Sequence, residues 1–298
     1  MEIDLIRDMN EIVAKRWLEE NNIPVPANSE NNFLEFLRWH RLQIPKIPRK
    51  VFISKELERS ENFRKYEKEI THLKHKFENG EDVMPFTSKR KKSVSWNSNP
   101  SNDYLLNDWN IHHFHLNTQL DKDNKVKRSK DLLFCFIDEN NNNNNVYFLN
   151  IYPHSNEDKS DNWSNKDLLE IMNNNWGDVL EPYRMEIIPD TNLNSKEMGL
   201  MRKSRVNSAV TIGDDAFLMI GGGYTVDGNS IQVTCWSKYI GEQLEKIENM
   251  FKNGEIKFDY TIECVQLTDC SFETNKCNIR LTRLLFCING EKEFELWC

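Results

Sequence analysis

Three histidines lie within four positions of the segment 106–116, at His112, His113 and His115. In an extended chain alternate side chains point to opposite faces, so His113 and His115 would share one face and His112 with Phe114 the other. Imidazoles that titrate near neutral pH can act as general acid and base, or can bind a metal ion. The structural alternative is a strand whose histidines form hydrogen bonds inside a polar pocket. The residue pattern leaves both interpretations open.

Two further candidates follow the histidine segment along the chain. Arg128 lies in a basic segment, and His154 comes directly after the second of two apolar, strand-like runs. In an antiparallel sheet with this order, strand ends and the following loops can converge. We therefore expect His113, His115, Arg128 and His154 to share one catalytic site, a hypothesis that rests on topology alone.

A second set of candidates has the residue types of a binding surface. It consists of His112, of Lys203 and Arg205 in a basic segment, and of Gly222 and Gly223 in a run of three glycines. Successive backbone N–H groups in such a run can cradle a phosphate. The run matches neither a Walker nor a dinucleotide fingerprint, because no Lys-Ser pair and no helix is predicted after it. An Asp-Gly pair follows it, which favours a hairpin turn over a phosphate cradle.

Composition bounds the class of protein. The chain has 298 residues, of which 38% are hydrophobic, and its 8 tryptophans and 16 phenylalanines supply bulk for a globular core. A net charge of −8 argues against a protein that coats nucleic acid non-specifically. Local basic clusters at 46–50, 89–92, 122–130 and 202–205 form either one patch or four separate solvated loops.

Cysteine usage and hydropathy predict the cellular compartment of the protein. The seven cysteines are odd in number and lack Cys-x-x-Cys spacing, and several lie in apolar runs. This pattern favours reduced thiols, with neither a disulfide framework nor a zinc site. No apolar run approaches the roughly 18 residues of a membrane span, and the N-terminus lacks the apolar core of a signal peptide. We expect a cytoplasmic protein without a membrane partner.

The periodicity of apolar residues predicts an α+β fold, with a helical N-terminal region followed by a mostly antiparallel sheet with packed helices. The predicted domains are a helical region at 1–80, a linker or exposed loop at 81–103, and an α+β body at 104–298. Helices are predicted at 2–21, 32–42, 55–79, 167–176 and 240–251. Strands are predicted at 50–53, 111–116, 132–138, 146–152, 185–188, 209–212, 216–220, 230–236, 256–267, 278–288 and 293–297.

Four sequence blocks look like those of a scattered, largely uncharacterised group of bacterial proteins. They are Leu-Asn-Asp-Trp-Asn-Ile-His-His-Phe-His-Leu at 106–116, Ser-Lys-Asp-Leu-Leu-Phe at 129–134, Asn-Asn-Trp at 174–176 and Gly-Gly-Gly-x-Thr-x-x-Gly at 221–228. The resemblance covers residues 100 to 240 and implies no established reaction. The order of strand, histidine, strand and helix is also loosely similar to that of RelE-type ribonuclease toxins, an analogy of fold that does not establish function.

The first functional hypothesis is a bacterial nuclease that cleaves RNA, as a toxin or a phage-defence effector. His113 and His115 would act as base and acid, Arg128 or Arg205 would stabilise the phosphate charge, and His154 could replace either histidine. This hypothesis requires no cofactor.

Two other hypotheses stay open. The second is a metal-dependent hydrolase, in which the histidines and Asp108 or Asp138 bind a divalent metal. The third is a non-catalytic regulatory or interaction subunit with a protein partner, such as an antitoxin or another subunit of a complex. It predicts that surface changes in residues 55–79 weaken that complex.

Overall fold

The structure is a computed structural model that describes residues 2–87, 103–122, 124–138, 144–154, 165–186, 193–258, 261–274 and 279–298. Two groups of sequence predictions lie outside these residues. One is most of the predicted linker at 81–103, with the basic cluster at 89–92, and the other is the second half of the strand predicted at 185–188.

The fold is α+β, as the sequence predicts. The helices are α1 (Leu5–Asp8), α2 (Lys15–Glu20), α3 (Asn32–Arg41), α4 (Lys55–Arg59), α5 (Glu61–Lys65), α6 (Glu67–Glu78), α7 (Tyr104–Trp109), α8 (Asp167–Leu180), α9 (Ser195–Lys203) and α10 (Ile231–Lys252). The strands are β1 (Glu2–Ile3), β2 (Lys50–Ile53), β3 (Ile111–His115), β4 (Asp131–Asp138), β5 (Asn145–Pro153), β6 (Val210–Ile212), β7 (Asp215–Phe217), β8 (Cys264–Thr274), β9 (Ile279–Ile288) and β10 (Lys292–Trp297). A π-helix at Met9–Ala14 joins α1 to α2.

The chain forms two compact units, and the first combines residues up to Leu42 with residues from Gln232 onward. Its sheet has the strand order β1-β8-β9-β10, in which β1 is parallel to β8 and the other pairs are antiparallel. One apolar core contains side chains from α1, the π-helix, α3, α10 and the sheet. Distant parts of the chain therefore share this core.

The second unit lies between Gln43 and Ile231 and contains every predicted catalytic and binding residue. Its sheet has the order β2-β5-β4-β3, and only β2 and β5 are parallel. Apolar side chains cover both faces. One face packs with α8, through residues such as Leu168 and Met172, and the other packs with α6, through Leu73 and Phe77. The histidine strand β3 is thus an edge strand of a sheet that is covered on both sides.

These units divide the chain differently from the predicted domains. The predicted helical region at 1–80 is shared between them, since β1 pairs with β8 and β2 pairs with β5. Both are parallel pairings between segments far apart in sequence, and a local pattern of apolar residues carries no information about such pairings.

The predicted helix at 55–79 is interrupted and forms α4, α5 and α6. Ser60 adopts an extended conformation between the first two helices, and its Oγ accepts a hydrogen bond from the N–H of Phe63, 3.0 Å away. A serine side chain that caps a new helix competes with continuation of the old one. Ser54 caps α4 in the same way, because its Oγ accepts the N–H of Leu57 at 3.0 Å.

The predicted strand at 230–236 is wrong, because α10 begins at Ile231 and includes the predicted helix at 240–251. Its buried residues Val233, Trp236, Ile240 and Leu244 recur every three or four positions, which is a helical period. The β-branched residues near its start suggested a strand, but burial of this stripe decided the outcome. The helix predicted to stop at Gly177 also continues, as α8, through a kink at Trp176.

Two pairs of strands that were predicted as neighbours in the sequence form hairpins. β4 pairs with β5, and β9 pairs with β10 through a turn at Asn289 and Gly290. Both residues have positive φ, 52° and 75°, as the two central residues of a type I′ turn require, and the N–H of Glu291 closes the turn by donating to Ile288 O at 3.2 Å. The strands predicted at 209–212 and 216–220 form the short pair β6 and β7. The strand predicted at 256–267 begins later, at Cys264.

Candidate functional site

The histidine strand has the predicted alternation. In the antiparallel pairing of β3 with β4, His113 lies opposite Phe134, and the two rings are 6.3 Å apart on one face of the sheet. His112 stacks near Phe114 on the other face, with 6.4 Å between ring centroids. The pairing of β3 with the apolar segment 132–136 of β4 thus determines which histidines lie on the same face of the sheet.

His154 reaches this face from the end of β5. Its backbone N–H donates to the carbonyl of Lys130, 2.7 Å away, which holds the chain beside the start of β4. The imidazole of His154 is stacked on that of His115, with centroids 5.7 Å apart and ring planes at 13°. The predicted convergence of these two histidines is confirmed.

The pKa of His115 is lowered to about 4, first by burial and then by the charges of His113, His154 and Arg128. The electrostatic influence of all three groups shows that the four predicted catalytic residues lie in one neighbourhood. His115 is only 4% exposed, whereas His154 is half-buried and Arg128 is exposed. At neutral pH the His115 imidazole is therefore uncharged.

The proton of the neutral His115 ring is assigned by Ser129. Nδ1 of His115 lies 3.3 Å from both the backbone N and the Oγ of Ser129. The backbone N–H can only donate, so this contact requires the lone pair on Nδ1 and places the proton on Nε2. The Ser129 hydroxyl accepts the N–H of Leu116 at 2.9 Å and thereby fixes this loop against the end of β3. The neutral imidazole of His115 can thus donate a hydrogen bond from its Nε2–H.

His113 faces a carboxylate that the sequence analysis did not single out. Oδ2 of Asp103 lies 3.7 Å from Nδ1 of His113, and both side chains are 9% exposed. Asp103 also caps α7, because its Oδ1 accepts the N–H of Leu106 at 3.2 Å. The available signal was an Asp directly before a short run of helix-forming residues, which is typical of an N-cap.

The acidic residues considered as metal ligands have other surroundings. Asp108 forms a buried ion pair with Arg202, and burial raises the pKa of its carboxyl to about 6. Asp138 lies at the far end of β4, opposite Asn145. Among the residues described by the structure, no group of three or more His, Cys, Asp or Glu side chains could hold a metal ion. The metal hypothesis therefore finds no ligand set within those residues.

The predicted binding residues have different surroundings. His112 points to the face of β3 opposite that of His113, and Lys203 is exposed at the end of α9. Arg205 follows α9 in a left-handed conformation, with φ of 57°, and its Nη1 donates to the carbonyl of Val226 at 3.0 Å. The Arg205 side chain thus stabilises the turn that contains Val226.

The glycine run packs tightly against α7. The N–H of Gly221 donates to Asp108 O at 2.8 Å, and that of Gly223 donates to Asn107 O at 2.9 Å. The N–H of Gly222 donates to the carbonyl of Met219. All three groups are used in backbone hydrogen bonds, which favours the structural interpretation of this run over a phosphate cradle.

Comparisons with models of protein families, with curated proteins and with solved structures found no match for this chain. The resemblance to uncharacterised bacterial proteins and the likeness to RelE-type toxins stay predictions. Within the described residues, no helix combines the length and the apolar character needed to cross a membrane.

Proposed function

We propose that the protein is an RNA-cleaving effector, of the toxin or phage-defence type, whose second unit supplies an acid–base site. The observation that carries this proposal is the grouping of His113, His115 and His154 on one sheet face. Within it, one imidazole faces a carboxylate and another is held neutral. Titratable groups in such contrasting environments are typical of acid–base sites.

The environments of the histidines assign their roles in this proposal. Asp103 favours a proton on Nδ1 of His113, which leaves Nε2 as the base that removes the 2′-hydroxyl proton. The 2′-oxygen then attacks phosphorus and the bond from phosphorus to the 5′-oxygen breaks. His154, as imidazolium, protonates the departing 5′-oxygen. The products are a 2′,3′-cyclic phosphate and a free 5′-hydroxyl.

His115 and Arg128 stabilise charge on the phosphate in this scheme. The neutral Nε2–H of His115 donates a hydrogen bond to a phosphate oxygen, and the Arg128 guanidinium supplies positive charge. The acid role predicted for His115 from the sequence passes to His154, because a group with a pKa of about 4 is uncharged at neutral pH. Arg128 is exposed and His154 is half-buried, so RNA approaches from this end of the strand.

The test is cleavage of a short RNA by purified wild type and by the His113→Ala and His154→Ala variants. Each substitution is expected to slow cleavage by about 100-fold or more, the usual contribution of a general acid or base. Replacing the 2′-hydroxyl at the scissile position by hydrogen should abolish cleavage there. The products should carry cyclic phosphate ends, which mass spectrometry detects.

The matched control is His75→Ala, because His75 is 69% exposed on α6 of the same unit. It should cleave RNA as fast as wild type. Growth arrest with loss of total RNA in a bacterial host, caused by wild type and not by His113→Ala, is the cellular readout. Equal cleavage by wild type and both site variants, or an inactive wild type, would rule out the proposal.

A second candidate, a protein-binding module, is favoured by one observation: all five residues of β3 are buried. In that case the histidines serve the fold, and the charged helices α4 to α6 present the binding surface. Charge reversal at the exposed Arg64 and Lys68 would then weaken capture of a partner, whereas His113→Ala would not. Paired pull-down experiments from the native host separate the two functions.

A further inference from the structure

The helix α7 has only six residues, and it carries an acidic residue of structural importance at each end. Asp103, at its N-cap, faces His113, and Asp108 lies in its last turn. Asn110 follows in the left-handed conformation, with φ of 55°, so the chain turns directly from the helix into β3. The orientation of α7 therefore determines where the Asp103 carboxylate lies relative to the imidazole of His113.

A helix this short is not stable by itself, so tertiary contacts must hold it. The side chain of Asp108 is fully buried and pairs with Nε of Arg202, which is 4% exposed. The guanidinium carbon of Arg202 also lies 4.4 Å from the ring centroid of Trp109, the last residue of α7. A single arginine from α9 thus contacts two consecutive residues of the helix.

The glycine run holds the same end of α7 through the backbone. A Cβ atom at Gly221 would lie 2.3 Å from Asn107 O and 2.4 Å from Leu106 O, far inside contact distance. The close approach allows Gly221 and Gly223 to donate hydrogen bonds to the carbonyls of Asp108 and Asn107. Any side chain at position 221 must therefore push α7 away.

Tyr224 links the two ends of the helix electrostatically. It is buried, and its backbone forms two hydrogen bonds of 2.8 Å with the side chain of Asn207. Burial is the main cause that raises the pKa of its hydroxyl. The charges of Asp108 and Asp103 add to this rise, and that of Arg202 opposes it. Both carboxylates therefore lie within electrostatic reach of the same phenol.

We propose that Arg202, through its ion pair with Asp108, is a positioning residue that holds Asp103 against His113. A buried ion pair contributes little net stability compared with apolar residues of similar size, so its use here is better explained by the geometry it imposes. The inference deepens the proposed function, on which it rests, by naming what orients the base. It also gives the glycine run a role, as the surface against which α7 is held.

The test measures the tautomer of His113 directly, by imidazole nitrogen chemical shifts in the full-length protein. Two variants move α7 in different ways. Gly221→Ala keeps every charged group and displaces the helix, whereas the double variant Arg202→Met, Asp108→Leu removes the ion pair without leaving an unpaired buried charge. In wild type, Nδ1 of His113 should carry the proton beside Asp103. In both variants the fraction of this tautomer should fall at least twofold.

Two controls make the result specific. His115 is an internal control, because its tautomer is fixed by Ser129 and should stay unchanged in every variant. Gly177→Ala is the matched glycine control, since the nearest atom to its new Cβ would be 3.6 Å away. An unchanged His113 tautomer in either folded α7 variant would overturn the proposal, and circular dichroism establishes which variants fold.

The same samples separate this inference from the proposed function. If wild type does not cleave RNA but the His113 tautomer changes as expected, the nuclease is refuted and the positioning role is retained. If wild type cleaves RNA and either folded α7 variant keeps the wild-type tautomer and rate, the positioning role is refuted and the nuclease is retained. Should one variant fail to fold, the other decides the result.

Discussion

His115 illustrates how burial sets the chemistry of a single residue in this protein. Its pKa is lowered to about 4, with burial as the largest cause, so the folded state holds it neutral under conditions in which the unfolded chain protonates it. We predict that the imidazole nitrogen shifts of His115 report a neutral ring with the proton on Nε2 down to pH 5.

The lowered pKa of His115 also determines in which direction the stability of the fold changes with pH. Between about pH 6.5 and 4 the unfolded state binds a proton at this position and the folded state does not, so stability falls as the pH is lowered through this interval. The contribution of His115 is about 3 kcal/mol at most. Urea unfolding of wild type and His115→Gln at several pH values measures it. Parallel curves for the two proteins would contradict the prediction.

Residue types predicted the candidates at this site better than they predicted roles. The spacing of His113 and His115 was enough to place them on one face, because alternation in a strand is a local property. The neutral state of His115 depends on how deeply the strand is buried and on the N–H of Ser129. The carboxylate beside His113 comes from a helix cap. Neither fact can be read from composition or spacing.

At the scale of elements, two serines that cap neighbouring helices offer a direct comparison. Ser54 is fully buried; its Oγ accepts the N–H of Leu57 at 3.0 Å and donates to the carbonyl of Leu149 at 2.5 Å. Ser60 is half-buried; its Oγ accepts the N–H of Phe63 and donates to the carbonyl of Leu57 at 2.8 Å. The Leu57 carbonyl also accepts the backbone N–H of Ser60 at 3.0 Å, so it keeps a donor when the hydroxyl is removed. We predict that Ser60→Ala costs about 1 kcal/mol, as a lost cap usually does.

Ser54→Ala should cost more, about 2 to 3 kcal/mol, because it also leaves the buried carbonyl of Leu149 without this donor. Equilibrium unfolding in urea measures both losses, and a larger loss for Ser60→Ala would contradict the argument. Each serine lies before a helix in the sequence, but only the burial of Ser54 between α4 and β5 distinguishes them. The cap at Ser54 was predictable from sequence, and the helix break at Ser60 was not.

Strong local signals determined several elements, and tertiary packing overrode others. The turn at Asn289 and Gly290 needs positive φ at both positions, which these residue types accept at low cost, and it joins the strands predicted at 278–288 and 293–297. At 230–236 the β-branched residues favoured a strand, yet the segment begins α10. Its buried stripe continues to Phe251 and packs in the core of the first unit, and such packing outweighs intrinsic propensity.

At the scale of the whole chain, the division into units depends on pairings that no local pattern encodes. The core of the first unit contains Leu5, Met9 and Val13 from one part of the chain together with Leu267 and Phe286 from another. The parallel pairing of β1 with β8 joins the same parts. A polar segment after residue 80 predicts a domain boundary there, and with it a single helical region at 1–80.

Because residues 5 and 267 lie in one core, we predict that a substitution near residue 5 destabilises the structure near residue 267. Leu5 is fully buried in the shared core, whereas its neighbour Ile6 is 39% exposed. Leu5→Ala should destabilise this unit by about 2 to 5 kcal/mol, as a cavity in a packed core does, and Ile6→Ala by less than about 1 kcal/mol. In hydrogen exchange, Leu5→Ala should therefore accelerate exchange in β8 and β9.

The exchange experiment distinguishes the predicted helical domain at 1–80 from the first unit of the structure. Leu5→Ala and Ile6→Ala are a matched pair for this purpose, because Leu5 is buried and Ile6 is exposed. If residues 1–80 formed a separate helical domain, Leu5→Ala would raise exchange in α1 to α6 and leave β8 and β9 protected. If Leu5 and Leu267 share one core, Leu5→Ala should lower the protection of backbone amides against exchange in β8 and in α3 together. Leu267 also donates its N–H to the buried carboxylate of Asp8 at 3.0 Å, so loss of α1 packing removes that bond as well.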